Sequence, residues 1–167
     1  HLTRCRVLMH MVDMAPVDES NPAENVRIIA NELEKFSPTL AKRDRWLLLN
    51  KIDLLPPDEV DARCQAVIDE LGWTGPVFRI SALNRDGTMP LAGKAMDMLE
   101  EIWEEEKSNP EARERELELQ NQMAQEARDR IEELREAQRE ARRARGEDDD
   151  DNFNEDDYDV EVIYVNH

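Results

Sequence analysis

Three short apolar runs in the first eighty residues predict buried strands. They cover residues 6–12, 45–49 and 77–80. Their nearly continuous hydrophobicity is typical of strands in a parallel sheet that is covered on both faces. Each run leads directly into a polar loop, so side chains able to bind a ligand follow each predicted strand.

Apolar residues at helical spacing predict a helix after each strand. The first begins near Pro22, because Asn21 can cap it and proline is favoured in the first turn. A second follows residues 56–57 and stops at Gly72, and a third runs from about residue 90 to 103. Strands and helices that alternate with short connections predict an α/β fold with a parallel sheet and flanking helices.

The chain changes character beyond Pro110. Residues 111–145 are rich in Glu, Arg, Ala and Gln, and they predict a long, charged helix with a narrow apolar stripe. That stripe either packs on a partner or leaves the helix weakly docked or free. Residues 147–159 form an acidic run that is expected to be disordered, whereas residues 160–165 regain strand propensity and could add to an exposed sheet edge.

These changes predict three segments. Residues 1–107 form the α/β part, residues 108–146 a charged helical extension, and residues 147–167 an acidic tail with a short strand-like end. The net charge of −18 and the pI of about 4.5 come mostly from the C-terminal third. This balance argues against unaided binding of nucleic acid by the chain as a whole, and favours a solvated tail over a specific acidic docking element.

The cysteines and the hydropathy of the chain indicate the cellular compartment in which the protein is expected. Cys5 and Cys64 have neither the spacing of a metal site nor the density of a disulfide framework, which favours buried, reduced thiols. No apolar run approaches the roughly 20 residues of a membrane span, and no signal peptide opens the chain. We therefore expect a cytoplasmic, monomeric protein. The absence of methionine at His1 suggests that sequence upstream has been removed.

The segment Asn50-Lys51-Ile52-Asp53 follows the second predicted strand and has the chemistry to recognise guanine. Guanine presents two donors in one plane, the ring N1–H and the exocyclic N2 amine, and the Asp53 carboxylate can accept both. Each hydrogen bond to an ionised acceptor contributes about 1.5–3 kcal/mol. Adenine has no such donor pair and would leave the carboxylate desolvated and unpaired, so the site would reject it.

Neighbouring residues complete the predicted site. Asn50 can bond the outer edge of the base and tie its own loop to neighbouring backbone, and Lys51 can lay its methylene stem against the base. Ser81-Ala82-Leu83 follows the next strand, and ligands in open α/β sheets bind beyond the carboxyl ends of strands. Ser81 can brace Asp53, and the Ala82 N–H can meet guanine O6. Either motif alone could be an ordinary strand-to-helix turn, but their combination favours a guanine site.

These motifs resemble the C-terminal part of the GTP-binding domain of Obg-family GTPases. The resemblance covers roughly the first hundred residues. It rests on Asn50-Lys51-Ile52-Asp53-Leu54-Leu55, on Ser81-Ala82-Leu83, and on the opening His1-Leu2-Thr3-Arg4-Cys5-Arg6-Val7-Leu8 with Asp13, Pro16, Asp18, Pro22, Glu24 and Asn25. The tail closing on Val-Glu-Val-Ile-Tyr is similar to bacterial Obg tails, whereas the charged helix before it is less diagnostic.

The resemblance implies a partial sheet of the P-loop GTPase type, with residues 1–107 as the C-terminal half of the GTP-binding domain. The implied parent is a bacterial GTPase that hydrolyses GTP slowly with Mg²⁺, acts in large ribosomal subunit assembly through rRNA and ribosomal proteins, and takes part in the stringent response. The chain lacks the phosphate-binding pattern G-x-x-x-x-G-K-[ST]. The phosphate and Mg²⁺ ligands are expected upstream of His1, so no catalytic or metal-binding residue is assigned here and this chain alone is expected to be inactive.

Other interpretations remain at this stage. The parent could be another translational GTPase that shares the two motifs, or the chain could be a non-enzymatic module that binds a protein or ribosomal surface through its charged helix and acidic tail. His10 is expected to be packed and Asp13 to be a cap or loop brace. The arginines between residues 139 and 145 could touch rRNA phosphates, although neutralisation by the adjacent acidic run is favoured.

Overall fold

The computed structural model describes residues 2–145. The predicted acidic tail and the strand-like segment over residues 160–165 lie outside this range. Residues up to Arg130 belong to one compact unit, and those from Ile131 onward belong to a second. The division falls beyond the predicted segment boundary at residue 107, inside the last helix.

A parallel sheet forms the centre of the first unit. Its strands are β1 (Val7–Asp13), β2 (Asp44–Asn50) and β3 (Val77–Arg79), in the order β1-β2-β3. Asp13 and Asn50 are paired in register at the ends of their strands. The predicted parallel α/β arrangement is therefore confirmed, and the loops that follow the strands leave from one edge of the sheet.

Five α-helices accompany the sheet in the described part of the chain. They are α1 (Pro22–Phe36), α2 (Pro38–Ala41), α3 (Val60–Leu71), α4 (Thr88–Ser108) and α5 (Pro110–Ala144), and short 3₁₀ helices cover Leu2–Arg4 and Ile52–Leu54. Asn21 caps α1 as predicted, because its Oδ1 accepts hydrogen bonds from the N–H groups of Ala23 and Glu24 at 2.8 and 3.3 Å. The predicted stop of α3 at Gly72 is also confirmed by a left-handed φ of 58°.

Apolar side chains pack on both faces of the sheet. On one face they include Val12, Val26, Leu47, Leu49, Cys64 and Val67. On the other they include Trp46, Leu48, Phe78, Ile80 and Leu91. The central strand β2 contributes to both clusters and is the most completely buried element, which fixes the position of the loop that follows it.

Strand β1 departs from the prediction that both its faces are covered. Met9 and Met11 are 45% and 57% exposed, and their register places them beside Trp46 and Leu48 on the same side of the sheet. Helix α4 packs there against β2 and β3, and Val7 at the start of β1 joins this cluster, but the described residues leave Met9 and Met11 largely uncovered. The prediction of burial was wrong for Met9 and Met11. An apolar run shows which side chains a strand can bury, but a side chain is buried only where another element covers it.

Helix α5 docks along its first part. Met123 and Ala127 are buried, and the Glu126 carboxylate accepts hydrogen bonds from the Ser37 hydroxyl at 2.5 Å, the Thr39 N–H at 3.0 Å and the Thr39 hydroxyl at 2.7 Å. The part of the apolar stripe that contains Met123 and Ala127 therefore packs against the unit that carries the sheet. Every described residue from 131 to 145 is exposed.

A second polar contact fixes the beginning of α5. The buried Glu116 carboxylate pairs with Arg43 and with Arg6, each with a nitrogen–oxygen distance of 2.8 Å. Arg6 also pairs with Glu106 of α4 at 2.7 Å. Since Arg6 directly precedes β1 and Arg43 directly precedes β2, α5 is attached at the amino ends of the strands, opposite the loops that carry the predicted site.

No helix within residues 2–145 is both long enough and apolar enough to span a bilayer.

Candidate functional site

The two predicted guanine-binding segments meet at the carboxyl ends of β2 and β3. Asn50 is the last residue of β2, and its side-chain Oδ1 accepts a hydrogen bond from the Ala82 N–H at 3.0 Å. The Ile52 N–H donates to the carbonyl oxygen of Ile80 at 3.4 Å. These bonds tie the loops together, so a ligand beyond the sheet edge could contact both.

The Asn50–Asp53 segment is a tight turn that buries some of its side chains and exposes others. Lys51 adopts left-handed backbone angles, with φ 65° and ψ 32°, and a 3₁₀ turn follows. Ile52 and Leu55 pack against the core, whereas Asp53 and Leu54 are exposed. The apolar anchors thereby fix the backbone and leave Asp53 directed away from the core.

The Asp53 carboxylate has no hydrogen-bond or ion-pair partner among residues 2–145. An exposed carboxylate on a fixed turn has its acceptor positions available for a ligand that brings donors. The predicted brace from Ser81 is not observed, since the Ser81 hydroxyl is engaged within its own loop. In this structure Asp53 is positioned by its backbone.

Ser81 organises the second loop from inside the fold. Its side chain is fully buried, its N–H donates to the carbonyl oxygen of Asp86 at 3.0 Å, and its Oγ accepts from the Asn84 N–H at 3.1 Å. A glycine follows at Gly87, with a positive φ of 71°. The loop is consequently closed by its own hydrogen bonds at the end of β3.

Ala82 and Leu83, the last two residues of the predicted site, lie at the surface of this loop. The Ala82 N–H, predicted to meet guanine O6, is used by Asn50, so O6 must share that donor or displace the amide of Asn50. The Leu83 side chain is 84% exposed, and the Leu83 N–H makes no hydrogen bond within the described part of the chain. Contact of the Ala82 N–H with O6 stays a prediction.

Asp13 lies at the same edge of the sheet as Asn50. The sequence predicts only the role of a cap or loop brace for it. Its Oδ1 accepts from the Ala15 N–H at 2.9 Å, which confirms the brace, and its Oδ2 lies 2.5 Å from Lys51 Nζ. Partial burial tends to raise the pKa of Asp13, but the hydrogen bonds from Lys51 and Ala15 and the charge of Lys51 outweigh it and hold the pKa below its ordinary value. The signal that could have found the pair is the strand register, which sets Asp13 beside Asn50.

Other titratable side chains have structural roles. His10 is partly buried, and burial together with the charge of Arg45 lowers its pKa below the ordinary value, which favours the neutral imidazole. Cys64 is a fully buried free thiol whose pKa is raised by burial, while Cys5 is partly buried. Between residues 2 and 145 no cluster of His, Cys, Asp or Glu side chains has an arrangement suited to holding a metal ion.

A shallow cavity lies at the amino ends of the strands, under α5. Its lining includes Arg6, Lys42, Arg43, Thr39 and Gln122. Arg6 and Arg43 are already paired with Glu106 and Glu116, so their charges serve the attachment of the helix. The cavity lies at the amino ends of the strands, whereas the loops that contain Asn50 and Ser81 leave from their carboxyl ends.

A scan of the chain against models of known protein families found no match. The assignment of the site therefore depends on its residues and their geometry.

Proposed function

We propose that this chain is the guanine-recognition part of a GTPase of the Obg type. One observation carries the proposal: the exposed Asp53 carboxylate, which has no partner within residues 2–145, stands on a turn anchored in the core, next to a second loop that is tied to it through Asn50 and Ala82. The site lies beyond the carboxyl ends of parallel strands, where ligands of open α/β sheets bind.

The proposed chemistry is recognition of the donor edge of guanine. The Asp53 oxygens accept the hydrogens of N1 and N2, the Lys51 stem lies along the base, and the loop that contains Ser81 and Ala82 closes the carbonyl side. Selectivity follows because a base without both donors leaves the desolvated carboxylate unsatisfied, which costs more than the lost attraction alone.

Phosphate binding and hydrolysis are assigned to another part of the same protein, since these 167 residues contain no G-x-x-x-x-G-K-[ST] pattern. The open side of β1, with Met9 and Met11 exposed, supports this division because it is an apolar surface on which a further element can pack. Slow GTP hydrolysis with Mg²⁺, a role in large ribosomal subunit assembly and a part in the stringent response are proposed from the resemblance to Obg proteins.

The proposal is tested by titrating the full-length protein with GDP, IDP and ADP. IDP lacks the exocyclic amine, so it should bind about 10-fold more weakly than GDP, as expected from the loss of one charge-assisted hydrogen bond. ADP should bind more weakly still, because it loses both donors. Equal affinities for the three diphosphates would refute guanine recognition, since their phosphates are identical.

A second candidate function is an interaction module at the end of α5. It is favoured by one observation: every described residue from 131 to 145 is exposed, in contrast to the docked part of the same helix. Truncation after Arg130 leaves the docking contacts of Glu116 and Glu126 intact. If the segment is the ribosome-binding element, the truncated protein should lose ribosome co-sedimentation and keep its affinity for GDP; retained co-sedimentation would exclude this module.

A further inference from the structure

We propose that Asp13 is a positioning residue for Lys51, and that it keeps the Lys51 ammonium away from Asp53 so that this carboxylate stays open to the base. The inference rests on the proposed function. It adds to that function a residue from a third strand end, which neither of the two guanine motifs contains.

Asp13 is itself firmly placed. It is the last residue of β1 and lies opposite Asn50 in the register of the sheet. The N–H of Met14 donates to the Asn50 carbonyl oxygen at 3.0 Å, and the N–H of Ala15 donates to Asp13 Oδ1 at 2.9 Å. One carboxylate oxygen thus braces the loop, and the other is left to meet Lys51.

The long side chain of Lys51 requires an acidic partner to hold it in one position. Its backbone is left-handed and its side chain is long and flexible. Asp13 Oδ2 lies 2.5 Å from its Nζ, and both side chains are only partly exposed, 35% for Asp13 and 42% for Lys51. The contact therefore restricts the ammonium to the side of the turn that faces β1.

The alternative partner of Lys51 is two residues away. Asp53 is exposed and has no partner among the described residues. A lysine released from Asp13 would be attracted to this carboxylate and would occupy the acceptor positions proposed for guanine. Asp13 thereby preorganises the site in two ways: it fixes the Lys51 stem, and it prevents a competing ion pair.

A double-mutant cycle in the full-length protein tests the coupling. The GDP dissociation constant is measured for the wild type, Asp13→Asn, Lys51→Met and the double variant. Asp13→Asn keeps an oxygen that can accept from Ala15 but loses the charge, and it should weaken GDP binding about fivefold. In the Lys51→Met background the same substitution should change affinity by less than about twofold, because no ammonium remains to be misplaced.

Two further variants make the outcome decisive. Asp18→Asn removes one exposed negative charge from the same loop, where it makes no contact with Lys51, and should change GDP affinity by less than about twofold. Asp13→Ser keeps a small acceptor near Ala15 and should show the same dependence on Lys51, which covers the case in which Asp13→Asn fails to fold.

Three results separate the possible failures. If Asp13→Asn lowers GDP affinity equally with and without Lys51, the proposal is overturned. Asp13 would then act only by bracing its own loop. No loss in either background would overturn it as well. If the wild type does not prefer GDP to ADP, the proposed function itself fails, whereas a clear preference for GDP with no coupling removes only the role of Asp13.

Discussion

Gly87 is the residue at which the backbone of the second loop is most constrained. Its φ is 71°, and a Cβ built on it would lie 2.4 Å from the carbonyl oxygen of Arg79. A side chain there is therefore disfavoured both by the left-handed conformation and by contact with backbone. The position follows Asp86, whose carbonyl oxygen accepts from the Ser81 N–H, so strain at Gly87 acts directly on the Ser81 loop.

Gly87→Ala should lower the free energy of unfolding by about 2–4 kcal/mol, from backbone strain and displacement of the loop. Gly72→Ala is the matched control, because its φ is also positive, 58°, but a Cβ there meets nothing within 4 Å. That variant should lose only about 1 kcal/mol. Urea denaturation of both proteins measures the difference, and equal losses would show that contact with Arg79 does not matter.

The sequence predicted which residues follow the strand ends at this edge of the sheet better than it predicted their hydrogen-bond partners. Asn50, Asp53 and Ser81 stand at strand ends, a position that apolar patterning reveals. The sequence predicted that Asn50 ties its loop to neighbouring backbone, and the hydrogen bond from the Ala82 N–H confirms it. The pairing of Asp13 with Lys51 could not be predicted, since it depends on strand register, and a shift of one residue would turn every side chain to the other face.

Among the helices, α5 shows most clearly how individual side chains attach one element to the rest. Partial burial alone would raise the pKa of Glu126, but hydrogen bonds from the Ser37 hydroxyl and from the hydroxyl and N–H of Thr39 outweigh it and lower the pKa from 4.5 to about 2. Since the folded pKa lies below the unfolded one, ionised Glu126 stabilises the folded state at neutral pH.

Glu126→Gln should destabilise the protein by about 1–3 kcal/mol at pH 7, because bonds to a charged acceptor are replaced by weaker ones. The stabilisation is fully present above pH 4.5 and is lost as the pH falls towards about 2. The difference in unfolding free energy between wild type and variant should therefore shrink over that window. Glu118→Gln, at an exposed position on the same helix, should show no such difference; a matching curve would contradict the role of Glu126.

At the scale of elements, periodicity and caps predicted most boundaries. Helices α1, α3 and α5 begin and end within a few residues of their predicted limits. Helix α2 was not predicted, since a four-residue helix is too short for periodicity and depends on Ser37, whose Oγ accepts from the Leu40 N–H at 3.0 Å. The docking of α5 was left open because an apolar stripe does not say which surface will cover it.

On the scale of the whole molecule, the unit that contains the sheet leaves β1 partly uncovered within the described residues. This strand lies at one end of the strand order, and its exposed methionines are on the side of the sheet that α4 covers elsewhere. We therefore expect residues 1–167 alone to unfold with a free energy below the roughly 5 kcal/mol typical of complete domains. Cooperative unfolding with the stability of a complete domain would contradict this expectation.

Met11→Lys distinguishes an open surface from an interface within the full-length protein. In the 167-residue chain Met11 is 57% exposed, and its sulfur accepts only a weak hydrogen bond from Asn50 Nδ2 at 3.6 Å. The change should therefore alter stability there by less than about 0.5 kcal/mol. In the full-length protein it should cost about 2 kcal/mol or more if the proposed further element covers the position. Val17→Lys, at an exposed site, should be neutral in both. Equal effects of Met11→Lys in the two proteins would contradict the proposed covering element.

The central claim is that the Asp53 carboxylate reads the donor edge of guanine, and the substitution Asp53→Asn tests it most directly. An amide presents one acceptor and one donor, which match xanthine, where a carbonyl replaces the exocyclic amine. The affinities of the full-length wild type and variant for GDP and XDP are measured by competition titration. The preference for GDP should reverse to a preference for XDP in Asp53→Asn, and an unchanged preference for GDP would contradict the assignment of Asp53.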